Sequence, residues 1–314
     1  MYAYNTRSNL HFCCRHVSDA ARVVREIKLL RLLQASPDVV HLRTILLPHD
    51  KRNFTEVVLV FELMEADLHQ VIKLNHNLQP DHHQWFLFQM LRAVSYMHQA
   101  AILHRDLKPR NMLLNSDCKL KICDLGLART ASPGESSEFW TDYVATRWYR
   151  APELCGSFYA TYTPQVDVWS IGCVFAEILL RRPLFMGKDV VHQLQVITDV
   201  LGTPPPKSIA KVQNEKARKF LAAMPYKPGF NLHRVFYKAD PRAVDLLKRL
   251  LTFDPDERIS AVDALHHPYF DSESDTGFIF ISSTDFAFDE SRVSVEQMRE
   301  IMYMEIYQWH PHLQ

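Results

Sequence analysis

Between residues 104 and 153 the chain carries three short polar signatures in a fixed order. They are His104-Arg105-Asp106-Leu107-Lys108-Pro109-Arg110-Asn111, then Asp124-Leu125-Gly126, then Ala151-Pro152-Glu153. A lone His-Arg-Asp would mean nothing, but three linked signatures constrain the fold around them. Phosphoryl transfer from ATP needs a carboxylate at the acceptor hydroxyl, oxygen ligands for Mg²⁺ and a cation on the transferring group. Asp106 suits the first role, Asn111 and Asp124 the second, and Lys108 the third. Met112 to Leu114 and Leu120 to Cys123 read as two short strands flanking this loop. Gly126 gives the backbone the freedom that a turn after Asp124 requires.

Composition narrows the class. The chain has 314 residues, enough for one large domain or two lobes around a substantial core. Lys and Arg number 36 against 36 Asp and Glu, a balance that argues against a nucleic-acid binder or a polybasic membrane anchor. The most apolar stretch, Val168 to Leu180, is interrupted by Ser170 and Glu177 and is too short to span a bilayer. Met1 to Leu10 is polar, so no signal peptide is expected. Cys13, Cys14, Cys118, Cys123, Cys155 and Cys173 form no Cys-x-x-Cys pair and read as reduced thiols. His310-Pro311-His312 could clip a metal but reads better as a solvated tail.

Periodicity places the elements. Ser18 to Leu33 has the helical period, with Val23, Ile27 and Leu30 on one face and Ser18 placed to cap its start. Val39 to Leu47 and Glu56 to Phe61 are β-branched runs, a plausible antiparallel pair. From Asp81, the residues Leu87, Met90, Leu91, Val94 and Met97 mark a long amphipathic helix leading to the catalytic loop. Ala131 to Glu138 suits a mobile loop, and helices dominate from Pro164 to Phe270. An acidic, Ser-rich stretch, Asp271 to Asp275, precedes a helical pattern over Val295 to Tyr307. That stretch is either a docking element or a solvated linker.

From Val17 to Pro311 the chain resembles a mitogen-activated protein kinase, most closely the plant-type subgroup whose activation loop carries Thr-Asp-Tyr. The residues that carry the resemblance are the three signatures above and Phe139-Trp140-Thr141-Asp142-Tyr143-Val144-Ala145-Thr146-Arg147-Trp148-Tyr149-Arg150, with Leu154-Cys155-Gly156-Ser157 following. The resemblance implies an α+β, two-lobed kinase fold with an incomplete small lobe and a mostly helical large lobe. It divides the chain into an atypical stretch at 1–16, a residual small lobe at 17–65, a large lobe at 66–270 and an extension at 271–314. Within the large lobe it implies an activation loop at 124–153 and a helical insert at about 189–240. ATP and Mg²⁺ are the implied cofactors, and cytoplasm and nucleus the implied location. The implied partners are an upstream dual-specificity kinase and protein substrates with proline-directed Ser/Thr sites.

The resemblance also implies residue roles. Thr141 and Tyr143 match the regulatory phosphorylation pair. Arg25, Arg105 and Arg129 match a cluster for phosphothreonine, and Arg147 and Arg150 a pair for phosphotyrosine. Arginine suits that task because its planar fork binds phosphate bidentately, although any one of them alone could be a solvated surface charge. Glu62, Leu63 and Met64 match the hinge that meets adenine, Phe61 the residue guarding the back pocket, Asp67 the ribose carboxylate and Leu113 the floor of the adenine slot. Glu153 with Arg258 matches a buried ion pair, and Asp167 with Trp169 the central helix.

The chain departs from the family at its front. Its first glycine is Gly126 and its first lysine Lys28, so neither a Gly-rich loop nor a strand lysine precedes the first helix. Glu26, which matches the helix glutamate that pairs with such a lysine, is expected to lack that partner. Leu125 stands where Phe is usual, a smaller apolar side chain beneath the metal loop. An N-terminally truncated chain is therefore expected, with a marginal two-stranded sheet, exposed apolar surface and weak activity. The alternative to an enzyme is a kinase fragment or pseudokinase that docks partners without transferring phosphate.

Overall fold

The computed structural model describes residues 9–13, 17–51, 53–74, 77–130, 147–159, 163–270 and 294–310. Strand β1 (Asn9–Cys13) leads into helix α1 (Val17–Leu32), followed by β2 (Leu42–Ile45) and β3 (Glu56–Phe61). The apolar period of α1 does what it predicts, since Val23, Val24, Ile27, Leu30 and Leu33 are all buried. The helix starts one residue early, so Ser18 lies inside the first turn rather than at its cap. The two-stranded sheet expected from the sequence is in fact three-stranded, in the antiparallel order β1-β3-β2, with register from Asn9↔Val60 to Cys13↔Glu56. The front segment therefore contributes a strand, and that strand contains no lysine. The run expected from Val39 shortens because Val39 and Val40 turn to meet Ile122, with Val40 N donating to Ile122 O at 2.9 Å. Asp38 anchors that turn through paired hydrogen bonds from Arg92 at 2.5 and 2.8 Å.

The chain then passes through the hinge into β4 (Ala66–Asp67), α2 (Leu68–Leu74) and α3 (Pro80–Gln99). Pro80 suits the first turn of α3, where its missing N–H is no loss. Next come β5 (Ile102–Leu103), β6 (Met112–Leu114), β7 (Leu120–Ile122) and β8 (Arg129–Thr130), paired antiparallel as β4-β6-β7 and β5-β8. The rest of the large lobe is helical: α4 (Pro152–Cys155), α5 (Gln165–Leu180), α6 (Val190–Leu201), α7 (Pro206–Ala210), α8 (Glu215–Ala222), α9 (Leu232–Val235), α10 (Pro241–Leu250) and α11 (Ala261–Leu265). Asp189 and Asp240, the expected limits of the helical insert, cap α6 and α10 by accepting from the backbone of His192 and Arg242.

Helix α5 is buried on every side from Val166 to Ile178, as befits the axis of a core. Gly172 lets α10 approach it, because a Cβ there would lie 2.8 Å from Leu251. The expected ion pair stands beside it. Arg258 meets both oxygens of Glu153 at 2.8 and 3.0 Å, lies over the Trp169 ring and donates to Thr252 O and Gln165 O.

The last helix, α12 (Val295–Tyr307), returns to the small lobe and packs on α1. Met298, Met302 and Ile306 enter the same apolar cluster as Ile27 and Leu30, covering surface that the sequence left open. Glu305 pairs with Lys28 and Arg31 at 3.4 and 3.1 Å. The His310 ring is buried and bonded to Ile45 O at 2.8 Å, so this residue anchors the end of the helix and is not the solvated tail expected from the sequence; Pro311 and His312 lie outside the described residues.

Removing one partner of the buried pair strands a charge. Arg258→Ala is expected to cost about 3–5 kcal/mol in a urea titration. The paired change Glu153→Gln with Arg258→Met should recover most of that loss.

Candidate active site

The catalytic loop hangs from one carboxylate. Asp167, fully buried on α5, accepts from His104 N and Arg105 N, each at 2.8 Å, and its Oδ2 lies 3.0 Å from His98 Nε2. Burial alone would push its pKa up, but the His98 hydrogen bond, the His98 and His104 rings and the Arg105 amide together hold it below the usual carboxylate range. Arg105 sits in the left-handed region with φ 71°, a costly conformation for a residue with a Cβ, and those two amide hydrogen bonds hold it there.

From this anchor the loop folds over itself. His104 Nδ1 takes the Asp106 N–H at 3.3 Å, which leaves Nε2 as the protonated nitrogen that donates to Cys123 O at 3.0 Å. The His104 ring thereby ties the catalytic loop to Cys123, the residue before Asp124. Lys108 Nζ lies 2.5 Å from Asp106 Oδ2, and Asn111 Nδ2 donates to Asp106 O at 2.9 Å and to Asp106 Oδ2 at 3.3 Å. The structure thus brings Asp106, Lys108 and Asn111 into one knot. Asp124 follows with φ 67°. Burial and the neighbouring Asp106 charge push its pKa up, opposed by His104, Lys108 and the Gly126 amide.

These residues fit a divalent cation. With the Asn111 amide nitrogen committed to Asp106, its oxygen is the free end, and Asp124 carries negative charge that a cation would relieve. Among the described residues no group of three or more His, Cys, Asp or Glu could hold a metal alone, so water or nucleotide phosphate oxygens would complete the coordination. The hinge fits a base as well. Phe61, Met64 and Leu113 are buried in one cluster, Leu63 is exposed, and the Met64 amide has no hydrogen-bond partner among the described residues. Asp67 Oδ1 is already used, accepting from Gln70 N at 2.8 Å at the start of α2.

Glu62 has a structural role that the sequence reading missed. Its side chain accepts from His41 N at 2.7 Å and pairs with the buried Lys121 at 2.8 Å, bracing the hinge against β7. The signal was there to read: one lysine between apolar residues in a buried strand needs a charged partner.

Glu26 is 1% exposed, and among the described residues its Oε2 has no hydrogen-bond partner. Burial and the Asp124 charge raise its pKa to about 8, against the Leu125 amide and the Arg22 charge. Arg22, one turn earlier on α1, lies against Gly126: its Cδ is 3.4 Å from where a Cβ would sit, and Asp124 Oδ1 is 3.3 Å from that point. Leu125 is fully buried in the cluster that lines α1.

The arginines are placed unevenly. Arg25 is buried on α1 and Arg129 Nη1 donates to Ala128 O. Arg147 Nη1 donates to Lys188 O at 2.6 Å, and the Arg147 and Arg150 charges both act on the buried Cys155 thiol. Thr141, Tyr143, Ala131 to Glu138 and Asp271 to Asp275 lie outside the described residues.

Comparison with known proteins agrees with this geometry. Residues 12–270 match the family described as protein kinase domain. Mitogen-activated protein kinase 8 of Arabidopsis thaliana is 55% identical over 303 residues, covering 95% of this chain and 51% of that protein. Mitogen-activated protein kinase 17 of Oryza sativa subsp. japonica is 54% identical over 303 residues, 95% of this chain and 52% of that protein. Mitogen-activated protein kinase 9 of Arabidopsis thaliana is 54% identical over 305 residues, 95% of this chain and 59% of that protein. The chain belongs to the protein kinase family, and within it is similar to these mitogen-activated protein kinases. It spans between half and three-fifths of the length of these relatives.

Glu26 provides a stability test. The folded state holds its proton to about pH 8, whereas an unfolded glutamate loses it near 4.5, so native stability falls as pH rises between those values. Glu26→Gln removes that penalty. In metal-free buffer its melting temperature should match the parent chain near pH 4.5 and rise progressively above it toward pH 8. A constant difference across this window would refute the assignment.

Proposed function

We propose that the chain transfers the γ-phosphate of ATP to Ser or Thr hydroxyls of proteins, as a signalling kinase of the mitogen-activated class. The observation that carries this reading is the knot of Asp106, Lys108 and Asn111 facing Asp124, held by Asp167. Asp106 would accept or orient the acceptor hydroxyl's proton. Lys108, bonded to the same carboxylate, would face the transferring phosphoryl and oppose its charge. Asn111 and Asp124 would hold Mg²⁺, which when bound neutralises charge on the phosphate oxygens. The Met64 amide would donate to adenine, Phe61 and Leu113 would flank the ring, and the second Asp67 oxygen would take the ribose. Phosphates on Thr141 and Tyr143, added by an upstream dual-specificity kinase, would be read by Arg25, Arg105, Arg129, Arg147 and Arg150. Substrates are proposed to carry proline-directed sites, and the location to be cytoplasm and nucleus. No helix among the described residues is long and apolar enough to cross a membrane.

Two experiments test this. In a chimera given the Gly-rich loop and lysine strand of an active kinase, Asp106→Asn should slow transfer by about 10²–10⁴-fold with nucleotide affinity retained. Asp124→Asn should abolish Mg-dependent transfer, and wild-type turnover in either variant would overturn the roles. Mass spectrometry after treatment with a dual-specificity activator should find phosphate on Thr141 and Tyr143.

The 314-residue chain should bind Mg-ATP weakly. No strand lysine meets Glu26, and charge-assisted bonds of that kind are worth about 1.5–3 kcal/mol each. Millimolar Mg-ATP should hardly move its melting temperature, since a ligand stabilises only in proportion to its occupancy.

A further inference from the structure

A second polar site lies beside the catalytic loop, and none of the roles above uses it. Helix α2 and the end of α5 enclose a cavity of about 390 Å³, lined by His69, Lys73, Glu177, Arg181 and Arg182 among others. Three of these side chains are permanent cations. Lys73 and Arg182 are exposed and Arg181 is half-buried.

The one acid in the lining does not cancel them. Glu177 is buried, burial pushes its pKa up, and its Oε2 accepts the Tyr149 hydroxyl at 2.6 Å. His69 adds no charge at neutral pH. Burial and the Arg110 charge lower its pKa, with Lys73 in the same sense and Asp67 opposed.

Arg110 links the cavity to the chemistry. It is exposed, stands immediately before Asn111, and its charge reaches both His69 and Tyr149. Tyr149 in turn belongs to the segment that leads into Ala151-Pro152-Glu153. Arg181 occupies the left-handed position that ends α5, φ 63°, where a glycine would fit without strain. The chain places a cation there instead.

We propose that this basic cavity is a specificity subsite for an acidic side chain, Asp or Glu, of the protein substrate. The inference rests on the phosphotransfer reading, because it takes the substrate to be a polypeptide whose hydroxyl lies at Asp106. A carboxylate entering the cavity gains charge-assisted bonds from up to three donors and displaces none of the contacts that hold the catalytic loop. Exposed Lys73 and Arg182 give the site its attraction at a distance, and the half-buried Arg181 its directed contact. Specificity then comes from position, because one residue of an extended peptide reaches the cavity while its neighbours do not.

The test is peptide binding to the full chain without nucleotide, read by fluorescence anisotropy. Fluorescent Ser-Pro peptides carry a single Glu at successive positions before the serine, each with a Gln control. One position should favour Glu over Gln by about tenfold, as a charge-assisted bond allows. The preference should shrink as salt rises. Lys73→Gln and Arg182→Gln, both on exposed side chains, should each reduce it, and the double variant should abolish it. Equal affinity for Glu and Gln peptides at every position overturns the proposal. So does a preference that survives in the double variant. If inorganic phosphate binds saturably while the peptides show no preference, the cavity is a free-anion site and the proposal also falls. The two readings separate cleanly. Transfer in the chimera without a Glu preference defeats the subsite alone, whereas a Glu preference without transfer defeats the phosphotransfer reading and, with it, the cavity's role as a substrate subsite.

Discussion

The carboxylate of Asp167 is the constraint on which the active site depends. It is carried by a helix buried on all sides, and it accepts two consecutive amides of the catalytic loop while meeting His98. A buried carboxylate is costly unless its lone pairs are filled, and here they are filled by the backbone it positions. That bond pair fixes Arg105 in a left-handed conformation, and the following turn aims Asp106, Lys108 and Asn111 at the same space. His104 then passes the constraint to Cys123, next to Asp124. One buried charge in the core thus sets the geometry of four polar side chains at the surface of the cleft.

Much of this was legible in the sequence. The catalytic loop, the strands around it and the amphipathic α1 and α3 follow from motif order and apolar period, and the Glu153–Arg258 pair from the family resemblance. Less visible were contacts set by long-range packing. Nothing local to Asn9–Cys13 announces a strand; it becomes one because β3 has an open edge whose hydrogen-bonding groups need partners. The shortened β2 has a similar cause, since Arg92, far along the chain, holds Asp38 and turns Val39 and Val40 toward Ile122. The role of α12 depends on where the chain returns. Its Met298, Met302 and Ile306 show a helical period in sequence, but only the fold reveals that α1 receives them. The cavity between α2 and α5 was hidden for the same reason, since its cations come from segments a hundred residues apart.

The site's electrostatics turn on the buried carboxyl of Glu26, whose Oε2 has no hydrogen-bond partner among the described residues. Asp106, Asp124 and Glu26 converge with Lys108 as the bonded cation and Arg22 alongside. Left ionised, three carboxylates in so small a space would repel one another and the phosphates that must enter. The structure relieves this by protonation: with its pKa near 8, Glu26 is mostly neutral at physiological pH. A proton therefore does the electrostatic part of what a paired cation would do. It keeps the buried carboxyl from opposing an incoming anion and leaves Asp124 as the principal charge for a metal. A proton cannot do the other part, which is to reach the phosphates and donate to them. The small lobe keeps its shape, with β1 completing a sheet and Glu26 accepting from the Leu125 amide. Packing and protonation can supply shape and charge balance at such a carboxyl; a hydrogen-bond donor at a fixed point in space cannot be replaced that way.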